Sequence, residues 1–253
     1  NIVSKATTDI NGIASFNNLT LGAYTIKETK APNGYILSDQ VISTEIKTQG
    51  QSLKFTVINS KKVGEVEFSK TDVSTGDIIE GATIEIKGVD ESNKHINISF
   101  VSSKEGNKFK LPVGKYEFKE IIAPEGYALS EEIGTFEIKE NGEVVKANLK
   151  NTPISGSVKI TKVDAENDTN KLAGAEFTLY DATGKELSKT VSDSNGIAKF
   201  EKLAYGEYSI KETKAPKGYI LVDTPISFKI SEHNKTLTYT VTNSKKVGEV
   251  EFS

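Results

Sequence analysis

The chain has 253 residues, with 32 Lys and Arg against 35 Asp and Glu and a formal net charge of −3. This near balance argues against nucleic acid or an anionic membrane as a partner. The chain has no cysteine, which excludes disulfides and thiol chemistry, so any covalent crosslink must be of another kind. No segment is apolar over the length that a bilayer requires, so we expect no membrane insertion within these residues.

The sequence repeats itself along its whole length. Residues 1–69 match residues 185–253 without a gap, and residues 59–69 and 243–253 are identical. A shorter period lies beneath this one, because Glu28, Glu120 and Glu212 are separated by 92 residues each (120 − 28 and 212 − 120). We therefore interpret the chain as a window cut from a longer tandem array.

The period divides the chain into four parts. The first repeat, residues 1–61, lacks its first strands, and a matching lysine would lie upstream of residue 1. The second repeat, residues 62–152, and the third repeat, residues 153–244, are complete. Residues 245–253 contain the first strand of a further repeat.

Within each complete repeat the pattern is that of short strands. In the third repeat the predicted strands are residues 157–163, 175–180, 199–200, 207–211, 226–230 and 236–243. The pairs Asn195-Gly196 and Lys217-Gly218 mark tight turns, because these residues tolerate positive φ. No stretch has helical periodicity, and Val, Ile, Thr, Tyr and Phe dominate the periodic segments. Six to eight strands in about 92 residues predict an all-β chain of small Ig-like β-sandwich domains in tandem.

On three strands of each complete repeat, an inward row of apolar residues ends in a polar residue. Side chains two apart on a strand share a face, so these polar groups face the core. The set is Lys70, Glu120 and Asn151 in the second repeat, and Lys162, Glu212 and Asn243 in the third. The first repeat has Glu28 and Asn59 but no lysine.

Three interpretations of this set remain open at this point. Each polar residue could simply mark a strand end where the core meets solvent, since Lys and Glu are seldom fully buried. The lysine and glutamate could form a buried ion pair with the asparagine as a hydrogen-bond partner. The third interpretation is an autocatalytic amide bond. An apolar pocket favours a neutral, nucleophilic lysine and a protonated glutamate, which could polarise the Asn side-chain carbonyl and shuttle protons.

The repeat resembles a known family in the order of its motifs. The third repeat contains K-x-D, then G-A-x-F-x-L-Y, then G-x-Y-x-I-K-E-x-x-A-P-x-G-Y, and ends in T-V-T-N. This order is similar to the B-type repeat domains of Gram-positive collagen adhesins and to the SpaA-type domains of sortase-assembled pilins. The resemblance implies a prealbumin-like sandwich in which a Lys–Asn isopeptide bond joins the first and last strands and a glutamate is catalytic.

Transferred to this sequence, the resemblance assigns the role of each site residue. It implies isopeptide bonds between Lys70 and Asn151 and between Lys162 and Asn243, with Glu120 and Glu212 as the catalysts. In the first repeat, Glu28 is inactive without a lysine and Asn59 is an unpaired candidate. We expect no cofactor. His95 and His233 have no ligand-spaced partners, so we expect no metal site.

The function that follows is structural. We expect stalk repeats of a cell-wall-anchored surface adhesin, outside the cell, whose partners are the neighbouring repeats, an adhesive head domain and a wall anchor beyond this stretch. The only catalysis expected is the self-catalysed bond, so the chain is not an enzyme acting on other molecules. Two alternatives are a pilin subunit and an adhesive domain that binds a ligand of the host extracellular matrix.

Overall fold

The computed structural model describes residues 1–252, and its regular structure there consists of sixteen β-strands. Within those residues no helix could cross a membrane. The first repeat contributes β1 (Gly22–Lys27) and β2 (Val41–Ile46). The second repeat contributes β3 (Val63–Asp72), β4 (Thr83–Asp90), β5 (His95–Val101), β6 (Asn107–Pro112), β7 (Gly114–Ile122), β8 (Ile133–Ile138) and β9 (Val144–Asn151). The third contributes β10 (Ser155–Asp164), β11 (Glu176–Asp181), β12 (Glu186–Val191), β13 (Ile197–Ala204), β14 (Gly206–Lys214), β15 (Ile226–Ile230) and β16 (Thr236–Asn243).

The second and third repeats have the same topology. In the second, a three-stranded sheet in the order β6-β3-β9 faces a four-stranded sheet in the order β5-β4-β7-β8. In the third, the corresponding sheets are β13-β10-β16 and β12-β11-β14-β15. The first strand of each repeat pairs in parallel with the last, whereas every other pairing is antiparallel. The predicted fold class is therefore confirmed.

Each sandwich closes over its own apolar core, to which alternate residues of both sheets contribute. In the second repeat, Val66 and Phe68 of β3 are buried and face Phe118 of β7. The rings of Phe68 and Phe118 meet edge to face, with centroids 5.1 Å apart. Burying an aromatic or branched side chain of this size contributes about 1.5–3 kcal/mol, so these alternating rows hold the two sheets together.

The six strand segments predicted for the third repeat all overlap observed strands, but β12 was missed. Its residues are almost all exposed, and it lies at the edge of the four-stranded sheet. Unlike the equivalent edge strand β5, whose residues alternate, β12 has no inward apolar row and so no alternating signal. The strand is held by its pairing with β11 instead.

The turn before β13 also differs in detail from the prediction. Of the pair Asn195-Gly196, only Gly196 has positive φ, at 71°. The Asp193 carboxylate accepts hydrogen bonds from the backbone N–H groups of Asn195 and Ile197 and closes the turn. A Cβ on Gly196 would lie 2.4 Å from the carbonyl oxygen of Lys162. Both the positive φ and this close approach therefore require glycine at this position.

The first repeat is a fragment of the same fold in this chain. Its only sheet is the pair β1-β2, and residues 51–60 form no strand. The alternating residues Leu53, Phe55 and Val57 are exposed. In the third repeat the equivalent strand, β16, pairs only with β10. Since residues 1–61 contain no counterpart of β10, this row has neither a strand partner nor a facing layer.

Candidate functional site

The three polar residues of the third repeat meet in the core. Lys162 lies on β10 and Asn243 on the neighbouring β16, while Glu212 reaches them from β14 in the opposite sheet. Lys162 and Asn243 are 0% exposed and Glu212 is 3% exposed. These residues are therefore not strand ends open to solvent, and that interpretation is wrong.

The register of the parallel strands β10 and β16 places the lysine diagonally opposite the asparagine. Lys162 is opposite Val241, and Asp164, two residues on, is opposite Asn243. Residues two apart on a strand share a face, so Lys162 and Asn243 are diagonal neighbours on the inner face. A side chain as long as lysine reaches across such a diagonal.

The Glu212 carboxylate bridges the other two side chains. The Lys162 Nζ lies 3.4 Å from Glu212 Oε1. The Asn243 Nδ2 donates to Glu212 Oε1 at 3.2 Å and to Oε2 at 3.0 Å. The carboxylate thus touches both the amine and the amide nitrogen, which is the placement that a proton relay between them requires.

The second repeat reproduces this geometry independently. Lys70 Nζ is 3.4 Å from Glu120 Oε1, and both side chains are 0% exposed. Asn151 Nδ2 donates to Glu120 Oε2 at 2.9 Å. Two sites with different surrounding core residues therefore converge on one arrangement.

Burial lowers the pKa of both lysines. For Lys162 the loss of hydration is the largest effect, and the nearby Glu212 carboxylate opposes it only in part. Lys70 follows the same balance with Glu120. A lowered pKa increases the fraction of neutral amine, which is the nucleophilic form.

Several polar atoms of these sites have no hydrogen-bond partner. They are the Nζ of Lys70 and Lys162, the Oδ1 of Asn151 and Asn243, and Oε1 of Glu120. The Nζ atoms are near a carboxylate oxygen but are not aligned to donate to it. Leaving such groups unpaired in a core costs about 1–3 kcal/mol each. The lysines and asparagines therefore do not form a fully satisfied hydrogen-bonded network.

The orientation of the asparagine amide is determined by a backbone carbonyl. Asn243 Nδ2 lies 2.6 Å from the carbonyl oxygen of Ile220, and Asn151 Nδ2 lies 2.7 Å from that of Ala128. A carbonyl can only accept, so the atom facing it must be the nitrogen. The glutamate therefore contacts the amide nitrogen and not Oδ1, and the geometry does not support the expected polarisation of the carbonyl.

Backbone groups that sequence reasoning missed hold the glutamate in place. The N–H of Val222 donates to Glu212 Oε2 at 3.0 Å, and the N–H of Ser130 donates to Glu120 Oε2 at 2.7 Å. In both repeats this donor lies ten residues after the glutamate. Main-chain groups have no side-chain signature, and only their constant spacing after A-P-x-G-Y could have indicated them.

The last tyrosine of A-P-x-G-Y contacts the strand that carries the lysine. Tyr219 Oη donates to Asp164 at 2.9 Å, and Tyr127 Oη donates to Asp72 at 3.0 Å. The backbone N–H of Glu166, with the hydrogen bond from Tyr219, lowers the pKa of Asp164 to about 2. This pair explains the aspartate of K-x-D, for which the sequence had suggested no role.

The first repeat retains the part of the site that does not need lysine. Asn59 Nδ2 donates to Glu28 Oε2 at 2.7 Å and to the Ile36 carbonyl at 2.9 Å. The N–H of Ser38 donates to the same carboxylate at 2.8 Å. Glutamate and asparagine therefore take up this arrangement without a lysine. No group of three or more His, Asp or Glu side chains in residues 1–252 is placed to bind a metal.

Comparison with known proteins identifies the family. The model described as SpaA, prealbumin-like fold domain, matches residues 1–61, 64–153 and 156–245. The chain belongs to the SpaA family of prealbumin-like fold domains. The resemblance seen in the motifs is thereby confirmed, and all three SpaA matches include the A-P-x-G-Y turn and the strand or segment that ends in asparagine.

The relatives of these SpaA repeats include Gram-positive surface proteins. The chain is 27% identical over 282 residues to the trypsin-resistant surface T6 protein of Streptococcus pyogenes, covering 97% of this chain and 49% of that protein. It is 27% identical to serine-aspartate repeat-containing protein F of Staphylococcus epidermidis, and the match covers 85% of this chain and 14% of that protein. The solved structure of the Bacillus anthracis TIE protein is 41% identical in sequence, with a TM-score of 0.70. The match covers 95% of this chain and 45% of that one. The chain thus spans half or less of the length of these relatives.

Proposed function

We propose that this chain is a series of stalk repeats of a cell-wall-anchored adhesin, locked by intramolecular Lys–Asn isopeptide bonds. The division into residues 1–61, 62–152, 153–244 and 245–253 is part of the proposal. The observation that carries it is the buried contact of amine, carboxylate and amide, repeated in two sandwiches. The similarity to the trypsin-resistant surface T6 protein supports a role outside the cell.

The bond forms by attack of the neutral amine on the amide carbon. In the third repeat, the Lys162 Nζ bonds to the Asn243 Cγ, and the bond from Cγ to Nδ2 breaks. Glu212 takes the proton that the amine gives up and delivers a proton to the departing Nδ2. The products are one secondary amide and one ammonia molecule, so atoms and charge balance.

The alternative is a permanent buried ion pair between the lysine and the glutamate. Desolvation makes such pairs costly unless excellent geometry and further hydrogen bonds compensate. Here the Nζ makes no hydrogen bond, and the asparagine Oδ1 has no partner either. An amide bond converts the charged amine, which has no hydrogen-bond partner, into a neutral secondary amide, which is why we favour it.

The position of the bond suits a stalk. The chain enters the third repeat along β10 and leaves it along β16, and these strands are parallel neighbours. A bond between Lys162 and Asn243 joins the entry strand directly to the exit strand. Tension along a tandem array would then pass through the crosslink and not through the 80 residues between them (163–242).

Intact-mass spectrometry under denaturing conditions tests the bonds. The purified chain should be lighter than its sequence by two ammonia molecules, one for each complete repeat. Peptide mapping should find Lys70 joined to Asn151 and Lys162 joined to Asn243. A mass equal to that of the sequence would refute the bonds and leave the ion pair.

Two matched glutamate variants test the assigned catalyst. Glu212→Gln should remove one ammonia loss, whereas Glu28→Gln, with the same contacts but no lysine, should keep both. By analogy with the loop entropy of a disulfide, loss of the bond should destabilise the third repeat by about 4–5 kcal/mol. If the Glu212→Gln chain still loses two ammonia molecules, Glu212 is not the catalyst.

A further inference from the structure

The segment that joins the first and second repeats is bonded on both sides. The Lys62 N–H donates to the Gly34 carbonyl of the first repeat at 2.8 Å, and the Lys62 carbonyl accepts from the Val113 N–H of the second at 3.1 Å. The preceding residue, Lys61, donates its Nζ to Asp90 of the second repeat at 2.5 Å. The backbone and a side chain therefore both tie the first repeat to the second.

In the Lys61–Asp90 contact, the aspartate is buried and the lysine is partly exposed. The Asp90 side chain is 2% exposed and that of Lys61 is 30% exposed. Burial alone would raise the pKa of Asp90, but hydrogen bonds from Lys61, Ser92 and Lys94 hold it below its ordinary value. Asp90 is thus an ionised group with three partner residues, one of which, Lys61, comes from the neighbouring repeat.

The segment between the second and third repeats makes the same backbone contacts. The Ile154 N–H donates to the Gly126 carbonyl at 2.8 Å, and its carbonyl accepts from the Tyr205 N–H at 3.1 Å. The side-chain contacts are different. Tyr205 Oη donates to Glu125 Oε1 of the second repeat at 2.6 Å, and the Lys229 Nζ lies 4.8 Å from the centre of the Tyr205 ring.

The side chains at the two junctions are not equivalent. At the 92-residue offset, Pro153 replaces Lys61, and Val113 is replaced by Tyr205. In both junctions, however, the A-P-x-G-Y turn of one repeat packs against the next. An ideal Cβ on Gly34 would contact Glu91, and one on Gly126 would contact the Tyr205 ring. One backbone interface is therefore stabilised by two different sets of side chains.

We propose that each junction is a docking interface that holds neighbouring repeats in one relative orientation. The interface of each repeat comprises its A-P-x-G-Y turn, and its partner is the repeat that follows. Joined domains otherwise move relative to each other by default unless their interface restrains them. Here the linker has no free stretch, because its backbone is hydrogen-bonded to both neighbours. The inference goes beyond the isopeptide bonds and does not depend on them.

Distance measurements between spin labels test this proposal directly. The chain has no cysteine, so introduced cysteines are the only labelling sites. Exposed serines on regular strands provide them, with Ser43→Cys and Ser99→Cys across the first junction, and Ser99→Cys and Ser188→Cys across the second. Each pair should give one narrow distance distribution.

Single substitutions should release one junction at a time. Lys61→Ala should reduce the ratio of docked to undocked molecules at the first junction by about fivefold. The second junction should not change. Tyr205→Phe removes the hydroxyl bonded to Glu125. It should reduce the ratio of docked to undocked molecules by a similar factor, but only at the second junction.

The chain offers a matched control for each variant. Lys245 has the same flanking sequence as Lys61 but contacts Asp164 of the third repeat, away from both labelled junctions, so Lys245→Ala should change neither distribution. Tyr208 Oη donates to the Ala204 carbonyl within the third repeat, so Tyr208→Phe should likewise leave both junctions docked. Circular dichroism will verify that every variant is folded.

Two results would overturn the proposal. Broad distributions across both junctions in the labelled chains without any further substitution would mean that the linkers are flexible. Narrow distributions that survive both Lys61→Ala and Tyr205→Phe would mean that these side chains do not hold the junctions.

Discussion

The buried lysine is the most costly residue of each complete site. Its long side chain is buried, and its amine lies near a single carboxylate without a hydrogen bond. Burial disfavours the charged form, which is the physical reason for the lowered pKa. The same burial that costs stability would also activate the amine for the attack that we propose.

This balance predicts that the free energy of unfolding depends on pH in a chain that cannot form the bond. In Asn243→Ala, Lys162 stays buried and unlinked. Its pKa in the folded repeat is below the ordinary 10.5, so the unfolded chain binds more protons between the two values. The free energy of unfolding of the third repeat should therefore rise with pH in that window, by up to about 1.4 kcal/mol per unit.

The control for this measurement is the double variant Lys162→Met with Asn243→Ala. It has no titrating amine at the site, so its free energy of unfolding in urea should lack the extra slope. Parallel pH profiles for the two variants would contradict the prediction. They would mean that Lys162 keeps its ordinary pKa in the folded repeat.

At the scale of elements, the parallel pairing of first and last strands decides which repeats are complete. β10 holds β16 in the sheet and brings Lys162 to Asn243. In the first repeat the segment equivalent to β16 has no partner strand, and its apolar residues Leu53, Phe55 and Val57 are exposed. Yet Glu28 and Asn59 already contact each other there.

Restoring the missing strands should therefore restore the bond. A chain extended before residue 1 by a copy of residues 153–184 carries a lysine in the position of Lys162. We expect a third ammonia loss in the intact mass, because Glu28 and Asn59 are already in place. The same extension with that lysine replaced by alanine is the control and should lose two. A folded extended chain that still loses only two would show that the first repeat is degenerate.

At the scale of the whole molecule, the proposed bonds and the proposed junctions would act on different motions. The junctions would restrict how the repeats turn relative to one another, whereas the bonds would restrict how far each repeat can extend. Because the first and last strands of each complete repeat are neighbours, tension along the chain would enter at the one and leave at the other. Without a crosslink, resistance to force follows the unfolding barrier, which is modest for small domains.

Single-molecule stretching should separate linked from unlinked repeats. The unmodified chain should show no unfolding step from the second or third repeat. Lys162→Ala should release about 80 residues, or about 260–290 Å at full stretch. Lys159→Ala is the matched control, because Lys159 lies on the same strand but its side chain faces away from the site. A step of that length in the unmodified chain would refute the proposal that the bonds carry the tension and would favour an adhesive function for the repeats themselves.

The sequence by itself determined the repeat, the all-β class and the membership of the site. Periodicity of two identifies an inward face, so a polar residue that ends an apolar row can be recognised without coordinates. This is how Lys162, Glu212 and Asn243 were selected from three separate strands. The exposed edge strand β12 escaped because it has no inward row, and the Val222 N–H and Ile220 carbonyl escaped because main-chain groups are the same in every residue.

Only the tertiary structure decided how these groups face one another. The parallel register of β10 and β16 places the lysine diagonally opposite the asparagine, and the facing sheet brings the glutamate to the amide nitrogen. The junction contacts between Lys61 and Asp90 and between Glu125 and Tyr205 were equally invisible in the sequence. The reason is physical. Local periodicity reports which face of a strand is buried, whereas the distance between two strands depends on pairing across many intervening residues.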